Sequence, residues 1–425
     1  MSPFTQANHL ISISDFSLGK DTFLLTKFEG SEFVSKPFEF HLEMLSENHQ
    51  VSPDDIVGKN ATVSLSNKSG RKFNGFISSF SLGETEAHNL RCYKMTMVPW
   101  LWFLRKTNNH RIFQEKNVND IVSQIFSDLG FRDFDFKASG GEKREYCIQH
   151  NESDFHFVSR LLEEEGIAYF FKHQDGKHIL HLVDQKNAYE LCSETDLDYT
   201  QGNNTESQIT KWIHSQEFRK GAWTLNDYNF KEPNNSIIAT TSTTSKFANN
   251  KKFEHYEYPG LYKPEVGSSL IKSRLDAEEA ERDTVVGESD CASFYSGGRF
   301  AIKNHSYKDE KGEYILIEVK HQASDDSYIN NESEAKVFYK NQFVCIPSKV
   351  HYRPLQIHKR PEMKGPQSAV VVGPSGEEIY VDEFGRIKVQ FIWDREGKND
   401  ENSSCWIRVA QMWAGNQWGS SFIPR

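Results

Sequence analysis

The sequence predicts an α+β protein that is mainly antiparallel β-sheet. Short runs of alternating polar and apolar residues, such as Ala61–Leu65 and Phe73–Phe80, are separated by turn residues through most of 10–98. Such alternation is typical of half-buried strands. The 425 residues suggest about three structural units. Aromatic residues make up 13% of the chain, and 31 of them are phenylalanines that can fill packed cores.

Helical periodicity is confined to a few segments. We predict helices over three stretches: 118–129, 151–165 and 269–286. Asn117 is suited to cap the first helix and Gly130 to end it. The second helix is expected to open near Asn151 with Glu152 and Asp154 in its first turn, where acids suit the helix dipole, and to stop at Gly166. The third is largely charged and should lie on the surface.

The remaining segments predict strands and loops. Strands are expected at 167–171, 178–183 and within 300–350, whereas the Ser/Thr/Asn-rich segment 236–250 should be an exposed loop or edge. A Pro/Gly-punctuated linker is expected over 353–376. The tail predicts a hairpin in which 378–382 turns at Glu383-Phe384-Gly385 into 386–394, with Ile387, Val389, Phe391 and Trp393 on one face.

Charge and cysteine content exclude several classes of protein. Lys and Arg number 50 against 60 Asp and Glu, a net charge of −10, which argues against a general nucleic-acid binder. The six cysteines are far apart and form no CxxC motif, so we expect buried single thiols in a reducing compartment. They are Cys92, Cys147, Cys192, Cys291, Cys345 and Cys405. The first twenty residues lack a signal-peptide pattern, and no apolar run is long enough to span a bilayer.

Motifs of catalysis or metal binding are weak in this sequence. It contains no GxGxxG, P-loop, HExxH, GxSxG or EF-hand loop. His178 and His181 are three apart in a predicted strand and should point to opposite faces, so they cannot chelate one ion. His150 and His156 are six apart across a helix start and also miss a common face. We therefore expect structural histidines and no metal or cofactor.

Two further clusters are candidate sites. Glu163-Glu164-Glu165 lies at a helix C-terminus, where each acid opposes the helix dipole by about 0.3–1 kcal/mol. Acid–base chemistry is one interpretation, but Arg160 lies one turn earlier and favours a salt-bridged or inter-subunit cluster. The tail carries a group of tryptophans that could stack bases or pack a core: Trp393, Trp406, Trp413 and Trp418. The tail lacks a basic stripe, so core and interface packing is favoured.

Several long motifs resemble the VgrG family, the spike proteins of bacterial type VI secretion. The run from Arg144 to Tyr169 resembles the family signature, and other matching positions follow in the family's order. They are Asp227–Phe230 with Pro233, Tyr258–Gly260, Arg274-Leu275, Phe300, His305, Glu313-Tyr314 and His321. The tail from Gly365 to Val409 matches most closely, so the resemblance covers essentially the whole chain.

The resemblance implies a fold and a set of partners. Residues 1–364 would form a phage-hub-like head of two tube-type β-barrels with inserted α/β subdomains, and 365–425 the first part of an OB-fold. The family's spike is a homotrimer that caps a tube of Hcp rings, carries effectors or adaptors, and is sharpened by a PAAR protein. The sequence stops at Arg425, so we expect an incomplete OB-fold and an absent β-helix needle.

The resemblance also implies a location and a mode of action. Such a spike is made in the cytoplasm and propelled into a neighbouring cell without a signal peptide; membranes are only targets to be pierced. We therefore predict a non-enzymatic structural hub with no catalytic, cofactor-binding or metal residues. The alternatives are a baseplate hub of a phage-like contractile particle, an enzyme using Glu163–Glu165, or an OB-type ligand-binding module using Trp406 and Arg408.

Overall fold

The structure is a computed structural model that describes residues 4–14, 18–67, 69–200, 208–245, 247–330, 335–415, 418–420 and 422–424. Strands dominate these residues. In chain order the first twelve are β1 Ile11–Ser14, β2 Leu24–Phe33, β3 Lys36–Ser46, β4 Asn60–Leu65, β5 Lys72–Thr85, β6 Arg91–Val98, β7 Asn109–Lys116, β8 Phe134–Phe136, β9 Arg144–Glu152, β10 Ala168–Gln174, β11 Lys177–Val183 and β12 Leu191–Asp198. The others are β13 Ile209–Gln216, β14 Ala222–Leu225, β15 Ala239–Ser242, β16 Glu254–Glu257, β17 Asp283–Ser289, β18 Arg299–Asn304, β19 Gly312–Asp325, β20 Val337–Pro347, β21 Ala369–Val372, β22 Lys388–Phe391, β23 Trp413–Gly415 and β24 Trp418–Ser420.

The residues that the structure describes also form three α-helices. They are α1 Val118–Asp128, α2 Asp154–Glu165 and α3 Gly267–Ala280. The chain divides into two compact units. Unit 1 comprises 1–102, 131–138 and 163–355, and unit 2 comprises 103–130, 139–162 and 356–425. The predicted α+β class with mainly antiparallel sheet is confirmed.

Unit 1 is built on one large sheet. Its strand order is β1-β4-β5-β6-β3-β2-β19-β20-β17-β13, and the parallel pair β12–β18 joins it through β19. Two three-stranded sheets accompany it, β10-β11-β8 and β15-β14-β16, the second covered by α3 through Trp223, Leu225, Ile271 and Leu275. Strands that are far apart in the sequence of unit 1, such as β2 and β19, are therefore neighbours in the large sheet.

Phenylalanine rings fill the core of unit 1. Phe28 lies 5.1 Å from Phe40 and 4.6 Å from Phe73 between ring centroids, and Phe38 lies 4.9 Å from Phe40. Gly30 lets β2 and β3 approach: a Cβ there would lie 2.2 Å from the carbonyl oxygen of Glu39. Aromatic burial of this kind stabilises sheets strongly because each ring removes a large apolar area from water.

Unit 2 combines a β-ribbon, helices and the tail. The ribbon pairs β7 with β9, and Asn117 caps α1 and forms a capping box with Asp120. The first helix therefore confirms the prediction. The second does not open near Asn151: Asn151 and Glu152 end strand β9, and α2 begins at Asp154. Glu152 is therefore a buried strand residue and does not lie in the first turn of a helix.

The third predicted helix is shorter and less exposed than the sequence suggested. Helix α3 ends at Ala280, and 283–289 form strand β17 in the large sheet. Ile271 and Leu275 pack on the sheet that contains β14, while Arg274 and Glu278 are buried. Counting charged residues missed this face because the long side chains of Arg and Glu can be buried when paired.

The predicted tail hairpin is wrong in its first strand. β22 pairs with β21, Val371 facing Val389, and 378–382 form no strand. The turn at 383–385 is nevertheless present: Gly385 has φ of 66° and its N–H bonds to the carbonyl of Asp382 at 3.1 Å. The Asp382 carboxylate accepts the N–H groups of Phe384 and Arg386, which closes the turn.

Candidate functional site

Glu32, near the end of β2, lies at the centre of a buried polar network in unit 1. Its Oε1 accepts from Arg71 Nη2 at 2.7 Å, and its Oε2 accepts from the backbone N–H of Ser296 at 3.2 Å. The Nε2 atoms of His173 and His321 lie 3.7 and 3.4 Å from Glu32 Oε1. One carboxylate that is 1% exposed therefore connects β2, β10, β19 and the start of β5.

Arg71 is the charge partner of Glu32. Burial alone would raise the pKa of Glu32, but the guanidinium and the neighbouring His321 ring hold it well below its usual range. Burial lowers the pKa of His173 to about 4 and also lowers the pKa of His321. Both imidazoles are thus neutral at pH 7, and Glu32 with Arg71 forms the ion pair.

The network continues from His321 through hydroxyl and amide groups. The Tyr339 hydroxyl and His321 Nδ1 form a hydrogen bond of 2.8 Å, and His321 Nε2 lies on the Glu32 side of the ring, 3.4 Å from Oε1. Asn341 Nδ2 donates to the Tyr339 oxygen at 3.2 Å, and the Ser289 hydroxyl donates to Asn341 Oδ1 at 2.8 Å. This chain of bonds links β19, β20 and β17 within the core.

Asn74 forms a second buried junction in unit 1. Its backbone N–H donates to His173 Nδ1 at 3.0 Å, and its side-chain Nδ2 donates to Thr62 Oγ1 at 2.9 Å. His178 Nδ1 bonds to Asn74 Oδ1 at 2.8 Å, and His178 Nε2 accepts the N–H of Trp100 at 3.0 Å. These bonds fix the sheet of β10 and β11 onto the large sheet.

The two histidines of β11 have separate surroundings. His178 lies in the Asn74 junction, where burial lowers its pKa. His181 stacks on Phe170, and its Nδ1 lies 3.3 Å from Asp135 Oδ2. The structure therefore places them on different sides of the strand, as the alternation of side chains predicted.

Residues 144–162 of the signature run build a buried ion network in unit 2. Arg160 makes a two-pronged contact with Glu152, with Nη2–Oε1 at 2.7 Å and Nε–Oε2 at 3.0 Å. Arg111 Nε donates to Gln149 at 2.9 Å, and Arg111 Nη2 lies 2.5 Å from Asp154 Oδ1. All five side chains are buried, so this motif joins β7, β9 and α2.

The tail of unit 2 packs on the ribbon through aromatic rings. His110 and His150 face each other across β7 and β9, and the Trp393 ring lies 5.6 and 5.9 Å from them. Arg395 Nη2 also donates to Asn109 Oδ1 at 2.7 Å. His150 is thus separated from His156, whose Nδ1 lies 2.5 Å from Glu152 Oε2.

The acidic end of α2 is offset by two arginines from elsewhere in unit 1. Arg274 Nη1 donates to the carbonyl of Glu163 at 3.0 Å, and Arg353 Nη1 donates to the carbonyl of Gly166 at 2.9 Å. Cations at a helix C-terminus favour the dipole. Glu163 and Glu164 are buried, and Glu165 is half-buried. Sequence reasoning missed both arginines because they lie over a hundred residues away from the helix.

The tail tryptophans differ from one another. Trp393 stacks on Phe391 at 5.0 Å, and Trp406 lies 4.9 Å from Tyr380, as packing residues would. Trp413 is 55% exposed, so it is not a core residue of this chain, and interface packing stays a prediction for it. The side chain of Trp418 lies outside the described residues, and Arg408 is exposed.

The six cysteines are free thiols, and the predicted burial is confirmed for four of them. Cys147, Cys192, Cys291 and Cys345 are buried, whereas Cys92 and Cys405 are half-buried. Burial raises the pKa of Cys192 to about 12, so it stays a protonated apolar group. Among the described ranges, no group of three His, Cys, Asp or Glu could hold a metal ion. None of the helices described above is long and apolar enough to cross a membrane.

Buried ion pairs thus brace both units, Glu32 with Arg71 in unit 1 and Glu152 with Arg160 in unit 2. The chain matches the phage tail baseplate hub family over residues 31–327 and belongs to that family. The VgrG resemblance read from the motifs is also confirmed: the chain is 36% identical to the type VI secretion system spike protein VgrG1b of Pseudomonas aeruginosa, over 99% of this chain and 57% of that protein.

Two other comparisons agree with this family. The actin cross-linking toxin VgrG1 of Vibrio cholerae is 32% identical over 97% of this chain and 39% of its own length. An Escherichia coli component of the type VI secretion system, described as structurally similar to T4 bacteriophage tail proteins gp27 and gp5, has a TM-score of 0.67 at 20% identity. That match covers 94% of this chain and 92% of the other. The chain thus spans just over half the length of VgrG1b.

Proposed function

We propose that this chain is the hub region of a type VI secretion spike: a non-enzymatic homotrimer that caps a tube of Hcp rings. The observation that carries the proposal is the similarity to a curated spike protein along 99% of the chain, including the hub family's range 31–327. In a full-length form the hub would hold the puncturing needle, a PAAR tip and effector or adaptor proteins.

The buried chemistry of the chain supports a mechanical role. Glu32, Glu152 and Asp154 are each engaged by an arginine inside a unit. A scaffold that transmits force needs its sheets fixed to one another, and buried charge pairs that are broken only at high cost do this. The same pairing leaves these carboxylates unsuited to acid–base chemistry on a substrate.

The proposed life cycle follows from the family. The chain would fold in the cytoplasm, assemble there, and be propelled out of the cell with the tube, using membranes only as targets. Nucleic acid is not an expected partner, since the net charge is −10.

Solution mass tests the assembly. We expect light scattering of the purified chain at about 0.15 M salt to give three times the mass of one chain over a range of protein concentrations. A monomer at every concentration would contradict a hub that assembles through these residues. Deleting the gene in its host should abolish release of the ring protein into the medium, and unchanged release would contradict the secretion role.

A phage-like contractile particle is the second candidate, because the family model is that of a tail baseplate hub. The two candidates share the fold and differ in their genetic surroundings. Sheath and ring genes without a capsid set would favour secretion, whereas capsid genes next to this one would favour a particle. Electron microscopy of particles released by the host gives the same distinction directly.

A further inference from the structure

An open cleft lies on the face of edge strand β13 in unit 1. It has a volume of about 470 Å³, within the range of about 300–1,000 Å³ typical of small-ligand sites. Besides Ser306, its lining consists of Tyr199, Trp212, His214, His305, Tyr307 and Glu310. None of the buried networks described above uses these side chains.

Aromatic rings form most of the cleft. Tyr199 stacks on His305 at 4.7 Å, and Trp212 lies 6.2 Å from His305. The rings of Tyr314 and Trp212 pack edge to face, with their centroids 4.9 Å apart. Tyr307 lies 5.8 Å from His305 and is 69% exposed, so its ring offers a free face. Trp212 is therefore held in place by neighbouring rings, whereas the Tyr307 ring is open to a ligand.

Two carboxylates contact His214: Glu310 belongs to the lining of the cleft, and Asp283 lies outside it. Glu310 accepts from Trp212 Nε1 at 2.8 Å and lies 2.9 Å from His214 Nδ1, while His214 Nε2 contacts Asp283. Partial burial opposes charge on His214, but the hydrogen bonds to Asp283 and Glu310 outweigh it and raise its pKa. Glu310 and Asp283 thus favour the charged form of His214, and the lining contains neither lysine nor arginine.

We propose that this cleft binds the guanidinium group of an arginine presented by a partner polypeptide. Ring faces attract cations, and a flat guanidinium can stack on Tyr307 while it donates to Glu310. A phosphate or carboxylate would meet the Glu310 carboxylate in a lining that holds no lysine or arginine. This inference does not depend on the proposed secretion role.

The position of the cleft favours a polypeptide source over a free small cation. β13 ends the large sheet: one edge pairs with β17, and beyond the bridge from Tyr199 to Ile209 no described strand pairs with its other edge. An extended partner segment can add to such an edge through backbone hydrogen bonds. Trp212 and His214 project from β13, so the partner's side chain would reach them from that edge.

Peptide titration tests the proposal on the intact chain. The probes are acetyl-Thr-Val-Arg-Val-Thr-amide, the same peptide with neutral citrulline in place of arginine, and acetyl-arginine-amide. The readout is the indole N–H resonance of Trp212, one of eight tryptophans, assigned with a Trp212→Phe variant. We expect a saturable shift with the arginine peptide, and binding about tenfold weaker or worse with citrulline, since one charge-assisted hydrogen bond is worth about 1.5–3 kcal/mol.

Substitutions locate the binding. Tyr307→Ala should weaken it about two- to fivefold, in line with an exposed cation–π contact, and Glu310→Gln should weaken it further. Tyr228→Ala is the matched control, a 56% exposed tyrosine outside the cleft, and should change nothing. Melting curves identify variants that lose their fold. If Glu310→Gln does not fold, the Tyr307→Ala protein provides the test, because its Trp212 resonance should still shift but at higher peptide concentrations.

Three outcomes would overturn the proposal. Equal binding of the citrulline and arginine peptides would mean that the cleft takes a neutral ligand. Equal binding of acetyl-arginine-amide and the peptide would mean that it takes a free small cation and does not recognise a chain. No shift of the Trp212 resonance with any probe would mean that the cleft is not a cation site.

Discussion

Glu32 and Glu43 are both ion-paired glutamates of unit 1, but water reaches only one of them. Glu43 contacts Lys27 and Lys94 at 2.9 Å each with its side chain 31% exposed, whereas the Glu32 side chain is 2% exposed beside Arg71. An exposed pair is screened by solvent and contributes little. A buried pair is costly to break, because the remaining charge has no water to solvate it.

We therefore predict different costs for the same substitution. Glu32→Gln should lower the free energy of unfolding by about 3–5 kcal/mol, since Arg71 would stay buried without a counter-charge. Glu43→Gln, the control, should cost about 1 kcal/mol or less. Urea unfolding followed by tryptophan fluorescence measures both values. Similar losses in the two variants would mean that the Glu32 network does not hold the core.

The buried histidines predict a loss of stability in mild acid. Burial lowers the pKa of His173 to about 4 in the folded chain, against about 6.5 when unfolded. The unfolded chain therefore binds more protons, and stability falls as pH drops from about 6.5 to about 4, by about 3 kcal/mol for His173 alone. His178 and His321 have the same sign, because burial lowers the pKa of each.

Unfolding free energies between pH 7.5 and 5 measure this effect, since carboxylates titrate mostly below that range. His173→Gln should reduce the slope against pH. His41→Gln is the control, because the His41 side chain is 60% exposed beside Glu39. A His173→Gln protein with the slope of the original chain would contradict the assignment of the acid sensitivity to this ring.

Local signals predicted α1 and failed for the tail strand. Helix α1 has its cap, its periodic apolar face and its stop within fourteen residues, so the sequence contains the complete information. Two upstream segments, 369–372 and 378–382, could each pair with β22. The sequence favoured 378–382 by proximity, but β21 offers the apolar run 369–372 and pairs instead. Pairing between strands is decided by packing, which a local pattern does not contain.

The ribbon and tail of unit 2 predict that Trp393 holds the tail. Trp393→Ala removes the ring that lies between His110, His150 and Phe391. Trypsin should then cut after Arg395 or Lys398 about tenfold faster or more, because each 1.4 kcal/mol lost from local packing raises the open fraction tenfold. Trp413→Ala, which alters a 55% exposed ring of the same tail, should leave the rate unchanged.

Equal cleavage rates in the Trp393→Ala and original chains would contradict this role. Gel bands identified by mass spectrometry assign the cut sites, so cleavage elsewhere in unit 2 is not mistaken for tail release. The experiment also separates the two tail tryptophans that the sequence had grouped together as packing residues.

Contacts between residues far apart in the chain could be predicted only through the resemblance to the VgrG family. No local pattern joins Glu32 to His321, or Arg353 to the end of α2, because these residues meet only after the large sheet has formed. The family motifs covered both ends of the chain and therefore predicted the class of protein. They did not predict that Glu152, Asp154 and Arg160 of the run 144–169 take part in a buried ion network.

The charge of the chain predicts a salt-dependent assembly. Each chain carries −10, so a trimer carries −30, and like charges repel over about 30 Å at 0.01 M salt but only about 8 Å at 0.15 M. We expect the trimer fraction measured by light scattering to rise between these two salt concentrations at fixed protein concentration. Sodium chloride and potassium chloride should act alike, because screening depends on ionic strength. A trimer that dissociates as salt is added would mean that attractive ion pairs across the interface outweigh the net repulsion.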